Sequence, residues 1–88
     1  MFASMSLKLL DRVVFKPGDV VFREGDVGNR AYVVIEGEVE VSKMAGEEKI
    51  VLEQVGAQGI FGEMALIDDR PRSATATAIQ RTQCMLIH

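Results

Sequence analysis

The chain has 88 residues, 48% of them hydrophobic and 26% charged, with eight glycines, two prolines, one cysteine and one histidine. That is globular composition, and it excludes a disordered segment, a collagen and a coiled coil. Thirteen acidic side chains against ten basic ones leave a net charge of −3, which argues against sequence-independent binding to nucleic acid.

Cys84 alone cannot form an internal disulfide, which points to a reducing, cytoplasmic setting. With His88 as the only histidine, no His cluster for a metal and no Cys–His or Ser–His–Asp catalytic set is available. The longest apolar runs, such as Ala31 to Ile35, fall far below the ~18 residues a membrane span needs. The N-terminus has no basic region leading into an apolar core, so no signal peptide is expected.

In chain order, residues 6–11 read as a short helix with Ser6 as its cap. Short β-rich runs follow. They are predicted over 12–16, closed by the turn Pro17-Gly18-Asp19, and over 20–24, closed by Gly25 to Asn29. Ala31 to Glu36 is the next, then 38–43, where Val39 and Val41 alternate with Glu38 and Glu40. Ala45-Gly46-Glu47 turns the chain into a strand over 49–55. Gly56, Gly59 and Gly62 then interrupt the pattern, and Glu63 to Ile67 suits a short helix. Strand character resumes over 73–79 and 82–87. Strands at roughly 8–12-residue spacing with turns between them predict an all-β sandwich or barrel. The last strand stops without a cap or polar tail, so one domain over 1–88, truncated on its C-terminal side, is expected.

The segment from Phe61 to Thr75 carries the chemistry. Gly62 opens a very short helix after a strand, where amides lack internal partners and a bound anion is favoured. A residue without Cβ there lets a ligand approach the backbone, and the small Ala65 leaves the same surface open. Arg72, fixed behind Pro71, offers a guanidinium fork for a phosphate. Ser73 adds an amide and a hydroxyl, and Glu63 a carboxylate that accepts from ligand hydroxyls. An anion cradle, an arginine and one carboxylate together describe a ligand with a singly charged phosphate and a sugar hydroxyl.

The duller readings are a turn glycine, a helix-start acid and a surface arginine paired with Asp68 or Asp69. They fit each residue singly but not the joint spacing. Cys84 and the methionines read as core residues, and Glu36, Glu38 and Glu40 as a solvated strand face.

Over nearly its whole length the chain resembles the cyclic nucleotide-binding domains of catabolite activator-type transcription factors, kinase regulatory subunits and nucleotide-gated channels. Pro17-Gly18-Asp19 through Val39 resembles the family's first strands, and Phe61 to Ala74 its phosphate-binding cassette without a gap. The resemblance implies an eight-stranded jelly-roll barrel with a short phosphate-binding helix and a short N-terminal helix; the family's C-terminal lid helices are absent from these residues.

It also implies that Gly62 and Glu63 hold the ribose 2′-hydroxyl, that Ala65 and Ser73 give amides to the cyclic phosphate and that Arg72 pairs with its oxygens. Met64 and Ala74 complete the ligand-binding set, with Glu40 as an acidic partner for the arginine. The expected function is a non-catalytic sensor of cAMP or cGMP that acts on an unidentified effector. Two further expectations are homodimerisation and, as the alternative function, a degenerate jelly roll used for protein–protein contact. Hydrolysis of the ligand would need a metal or a general base near phosphorus, and neither is evident.

Overall fold

The computed structural model describes residues 11–87. β-branched and aromatic runs, some of them alternating with polar residues, form eight strands: β1 (Arg12–Phe15), β2 (Val20–Phe22), β3 (Ala31–Glu36), β4 (Val39–Ala45), β5 (Glu48–Val55), β6 (Ile60–Phe61), β7 (Thr75–Ala78) and β8 (Thr82–Ile87). A single turn of 3-10 helix, Glu63–Leu66, lies between β6 and β7. The strands build two four-stranded antiparallel sheets, ordered β1-β8-β3-β6 and β2-β7-β4-β5. This is the expected jelly-roll order, formed as a sandwich rather than a closed barrel.

The period-2 pattern decides which side chains enter the sandwich. Val39 on β4, Ala76 and Ala78 on β7, and Thr82 and Cys84 on β8 are buried in alternation with more exposed neighbours, while Ser42, beside a bulge between Val41 and Ser42, is buried as well. Val34, Val39, Val55, Phe61, Ala76 and Cys84 form the core, flanked by half-buried Val13, Phe15, Val21, Phe22, Tyr32 and Val41. Each fully buried valine stabilises the fold by about 1.5–3 kcal/mol. At one end, Tyr32 stacks on Phe61 at 5.1 Å between centroids and Phe22 packs against both rings.

Two early turns have the same construction. Asp19 Oδ2 accepts the Lys16 amide at 2.8 Å, and Asp26 Oδ2 accepts the Arg23 amide at 2.9 Å. In both, the aspartate amide donates back to the first residue's carbonyl, which locks the turn between successive strands.

The sequence expectations hold for seven strands, with ends moved by a few residues. The runs expected over 12–16, 20–24 and 73–79 are shorter, and those over 38–43 and 49–55 include Ala45 and Glu48. β6, the strand that precedes Gly62, has no bounds in the sequence reading because its two residues sit among interrupting glycines and are too few to show alternation. The helix expected over 6–11 lies outside the described residues apart from Asp11.

Candidate functional site

The path from β6 to β7 sets the 3-10 turn against β3 of the first sheet and carries Arg72 onto Phe22 of β2 in the second. Gly62 caps the 3-10 turn at φ 73°, ψ 16°, a left-handed conformation that suits glycine. Its missing side chain also makes room. A Cβ there would stand 2.9 Å from Arg72 Nη1 and 3.1 Å from Phe22 Cε2. Gly28, in the loop before β3, leaves the matching space on the other side, where a Cβ would lie 2.9 Å from Arg72 Nη2.

Arg72 fills the slot between them and is only 9% exposed. Its Nη1 donates to the Gly62 carbonyl at 3.1 Å and its Nη2 to the Arg30 carbonyl at 2.7 Å. Cζ lies over the Phe22 ring, and Nε is buried with no partner. The backbone is pinned as firmly: the Arg72 amide donates to Asp26 O at 2.8 Å and the Gly25 amide donates to Arg72 O at 2.8 Å. No carboxylate pairs with this cation among the described residues. Carbonyls and an aromatic face solvate it only in part, so the buried cation carries a desolvation cost that an anion near the head group would relieve.

Around this head group lies a cavity of about 330 Å³. Gly62, Glu63, Met64, Ala65, Arg72, Ser73 and Ala74, all seven expected ligand-binding residues, line it together. The Glu63 side chain has no partner among the described residues, and the amides of Glu63, Met64 and Ser73 have no acceptor there. These groups can accept from a hydroxyl and donate to an anion.

Five corrections to the sequence reading follow from this geometry. The Ala65 amide is engaged, donating to Gly62 O at 3.3 Å, and so is not freely offered to a ligand. One four-residue turn carries little macrodipole, so anion attraction here comes from individual amides and Arg72. Met64 is 59% exposed at the cavity rather than a core filler, and Met44 is likewise 55% exposed. Glu40 does not partner Arg72. Its carboxylate accepts from Lys49 Nζ at 2.6 Å on the β4–β5 hairpin, because Lys49 reaches along the ribbon to the same face. Asp68 is likewise taken, accepting the Arg70 amide at 2.8 Å and pairing with its Nε at 3.7 Å, so it does not neutralise Arg72.

Phe22, Val41 and Glu53 also line the cavity and were not singled out from sequence. Phe22 and Val41 look like ordinary core residues. Glu53 had a usable signal: it lies two residues before the inward-facing Val55, and so places a charge in the inward phase of a strand.

A jelly-roll sandwich that buries an uncompensated arginine beside a glycine-opened turn defines an anion-binding module. Residues 12–88 match the cyclic nucleotide-binding domain family, and the chain belongs to that family. It is 40% identical over 80 residues to a cAMP-dependent protein kinase regulatory subunit of Dictyostelium discoideum, covering 86% of this chain and 24% of that protein. It is 36% identical over 80 residues to a CRP-like cAMP-activated global transcriptional regulator of Mycobacterium tuberculosis, covering 89% of this chain and 35% of that protein. The crystal structure of the N-terminal domain of a transcriptional regulator from Streptomyces coelicolor A3(2) superposes with a TM-score of 0.86 at 35% identity, over 96% of this chain and 60% of that one. The chain thus spans between 14% and 39% of the length of such curated relatives. The two named above are a regulatory subunit and a transcription regulator. No described helix is long and apolar enough to cross a membrane.

Proposed function

We propose that this chain is a regulatory domain that binds a cyclic purine nucleotide, cAMP or cGMP, and acts through binding rather than catalysis. The observation that carries the reading is Arg72: a buried guanidinium with an unpartnered Nε, no carboxylate counterion and a cavity in front of it. Its +1 charge matches the −1 of a cyclic phosphate; Arg70 and Asp68 on the same cavity pair with each other, and Glu63 and Glu53 oppose a polyphosphate.

In this reading Arg72 and the Ser73 amide hold the phosphate, and Glu63 accepts from the ribose 2′-hydroxyl. Met64, Ala65 and Ala74 shape the wall. The two relatives named for cAMP make it the first ligand to test. Calorimetry with cAMP and cGMP is the direct experiment. A thermal melt supports it, since ligand at 100 times Kd stabilises a native state by about 2.7 kcal/mol. Absence of binding by both nucleotides would leave the degenerate protein-contact domain as the better account.

The same reading supplies a partner surface. Met64, Leu66 and Ile67, the last 76% exposed, put apolar area beside the cavity, and this favours cover by the effector or by a second copy. Residues 1–88 then form one domain of a longer protein in a cytoplasmic signalling pathway. Light scattering across a dilution series measures self-association: a mass that rises with concentration is expected, and a constant monomer mass would oppose a homodimer.

A further inference from the structure

Arg72 borders two cavities, and the reading above uses only one of them. The second encloses about 270 Å³ and is lined by Asp26, Gly28, Asn29, Arg30 and Tyr32 as well as Arg72. It belongs to the loop between β2 and β3, whereas the first belongs to residues 61–74 with Val41 and Glu53 opposite. Phe22 and Arg72 are the residues common to both.

The head group is not placed evenly between them. A Cβ on Gly62 would meet Nη1, while one on Gly28 would meet Nη2 at 2.9 Å and Nε at 3.3 Å. The Nη2–Nε edge therefore lies toward the loop. That edge is one of the forks with which a guanidinium grips an oxyanion, and its Nε is the buried donor that has no partner. Nη2 gives one N–H to the Arg30 carbonyl and keeps a second.

Charge favours an anion more in this cavity than in the first. One acid and two arginines line it, against three acids and two arginines around the other. The one acid is engaged, since Asp26 Oδ2 accepts the Arg23 amide inside its own turn. Among the described residues the amides of Val27, Gly28 and Asn29 have no acceptor, and Arg30 forms no ion pair.

We propose that the loop-side cavity is a second anion site, which takes a small inorganic oxyanion of the phosphate or sulfate type. Arg72 supplies the fork, Arg30 a second positive charge and the loop amides further donors. One guanidinium then serves two cavities. An ion held at the loop opposes a nucleotide phosphate in the first cavity, and by linkage the nucleotide weakens the ion equally. That antagonism rests on the cyclic nucleotide reading; the site itself does not.

The test titrates inorganic phosphate into the nucleotide-free, isotope-labelled chain and follows nitrogen–proton correlation spectra, with sodium chloride at matched ionic strength as the control. Saturable shifts are expected at the Arg72 Nε–H and at the Gly28 and Asn29 amides, larger than those at Glu63, Met64 and Ser73. Arg30→Gln removes a charge but keeps the carbonyl that holds Arg72, and should weaken phosphate by about fivefold or more. Arg30 is exposed, and the spectrum itself shows that the variant is folded. Phosphate should lower cAMP affinity in the wild type and do so much less in Arg30→Gln. Shifts no larger than those with chloride, or confined to Glu63, Met64, Ala65 and Ser73, would overturn the second site. Equal antagonism in both proteins would put the ion in the nucleotide cavity and overturn it too. Phosphate bound at the loop of a chain that binds no cyclic nucleotide would uphold the site and remove the nucleotide reading alone.

Discussion

The Arg72 guanidinium carbon lies 4.0 Å from the centroid of the Phe22 ring. Phe22 closes β2 and also packs on Tyr32 and Phe61, so the aromatic cluster of the core is the surface on which the cation rests. A ring face attracts a cation without competing for its N–H groups, and the fork keeps donors for a ligand.

Arg72 is the most exacting position. Arg72→Ala should weaken nucleotide binding by about 2–5 kcal/mol, the range for removing one partner of a desolvated charge pair. Arg72→Lys should also bind poorly, because a point charge can neither hold Gly62 O and Arg30 O together nor rest its plane on Phe22. Calorimetry reads both; near-native affinity in Arg72→Ala would remove the phosphate from this slot.

Glu63 is read by a double-mutant cycle. A charged acceptor on a sugar hydroxyl contributes about 1.5–3 kcal/mol at most. Wild type should therefore bind the 2′-deoxy nucleotide more weakly than the parent, and Glu63→Ala should treat the two ligands nearly alike. The same loss on both proteins would show that Glu63 does not touch the sugar.

Two glycines separate site from scaffold. Gly62→Ala meets the Arg72 head group and Phe22 at positive φ, and should cost about 1–2 kcal/mol of stability together with much of the binding. At Gly37, φ 112°, a Cβ would fall 2.6 Å from the Thr82 Cα and from the Arg81 carbonyl, both main-chain atoms that cannot step aside. Gly37→Ala should cost more, about 3 kcal/mol or above, with nucleotide affinity retained by whatever fraction folds. Urea unfolding combined with ligand titration distinguishes the two patterns.

Cys84, fully buried on β8, has its thiol pushed up from 9.0 to about 11 by burial. The raised value means the folded state keeps its proton after the unfolded chain has lost it. Stability from this group is complete below pH 9 and declines as the pH rises from 9 toward 11. Denaturant midpoints measured across that window should fall, and Cys84→Ala should flatten the slope. Native protein should react with a thiol reagent only at the rate of local opening.

Much of the fold was legible because β-rich runs are separated by clear turn residues and some alternate, as β7 does with Ala76 and Ala78 inward, although β4 breaks its alternation at a bulge between Val41 and Ser42. β6 was not, since its two residues are held by pairing Tyr32 with Phe61 and Val33 with Ile60, a long-range fact with no local pattern. The cassette was legible as a contiguous string, and all seven of its residues meet at one cavity. Glu40 misled because sequence position does not reveal competition: Lys49, nine residues later, claims its carboxylate first. The opposite wall, Val41 and Glu53, depends on how a hairpin folds over the cassette, and its residues carry no motif.

The strand order has a consequence for how the chain reaches this state. Among the described residues β1 pairs only with β8, and β2 only with β7, so each of the first two strands waits for one of the last two. While the polypeptide emerges from the ribosome, Arg12–Phe15 and Val20–Phe22 have no sheet to join until residues beyond 75 have been made. Such distant pairings make folding slow and leave apolar edges uncovered meanwhile. The slot for Arg72 draws on both ends of that wait, with Phe22 from the early part and Gly62 from the late part. It therefore cannot form until the chain through Arg72 has been made and folded back onto Phe22.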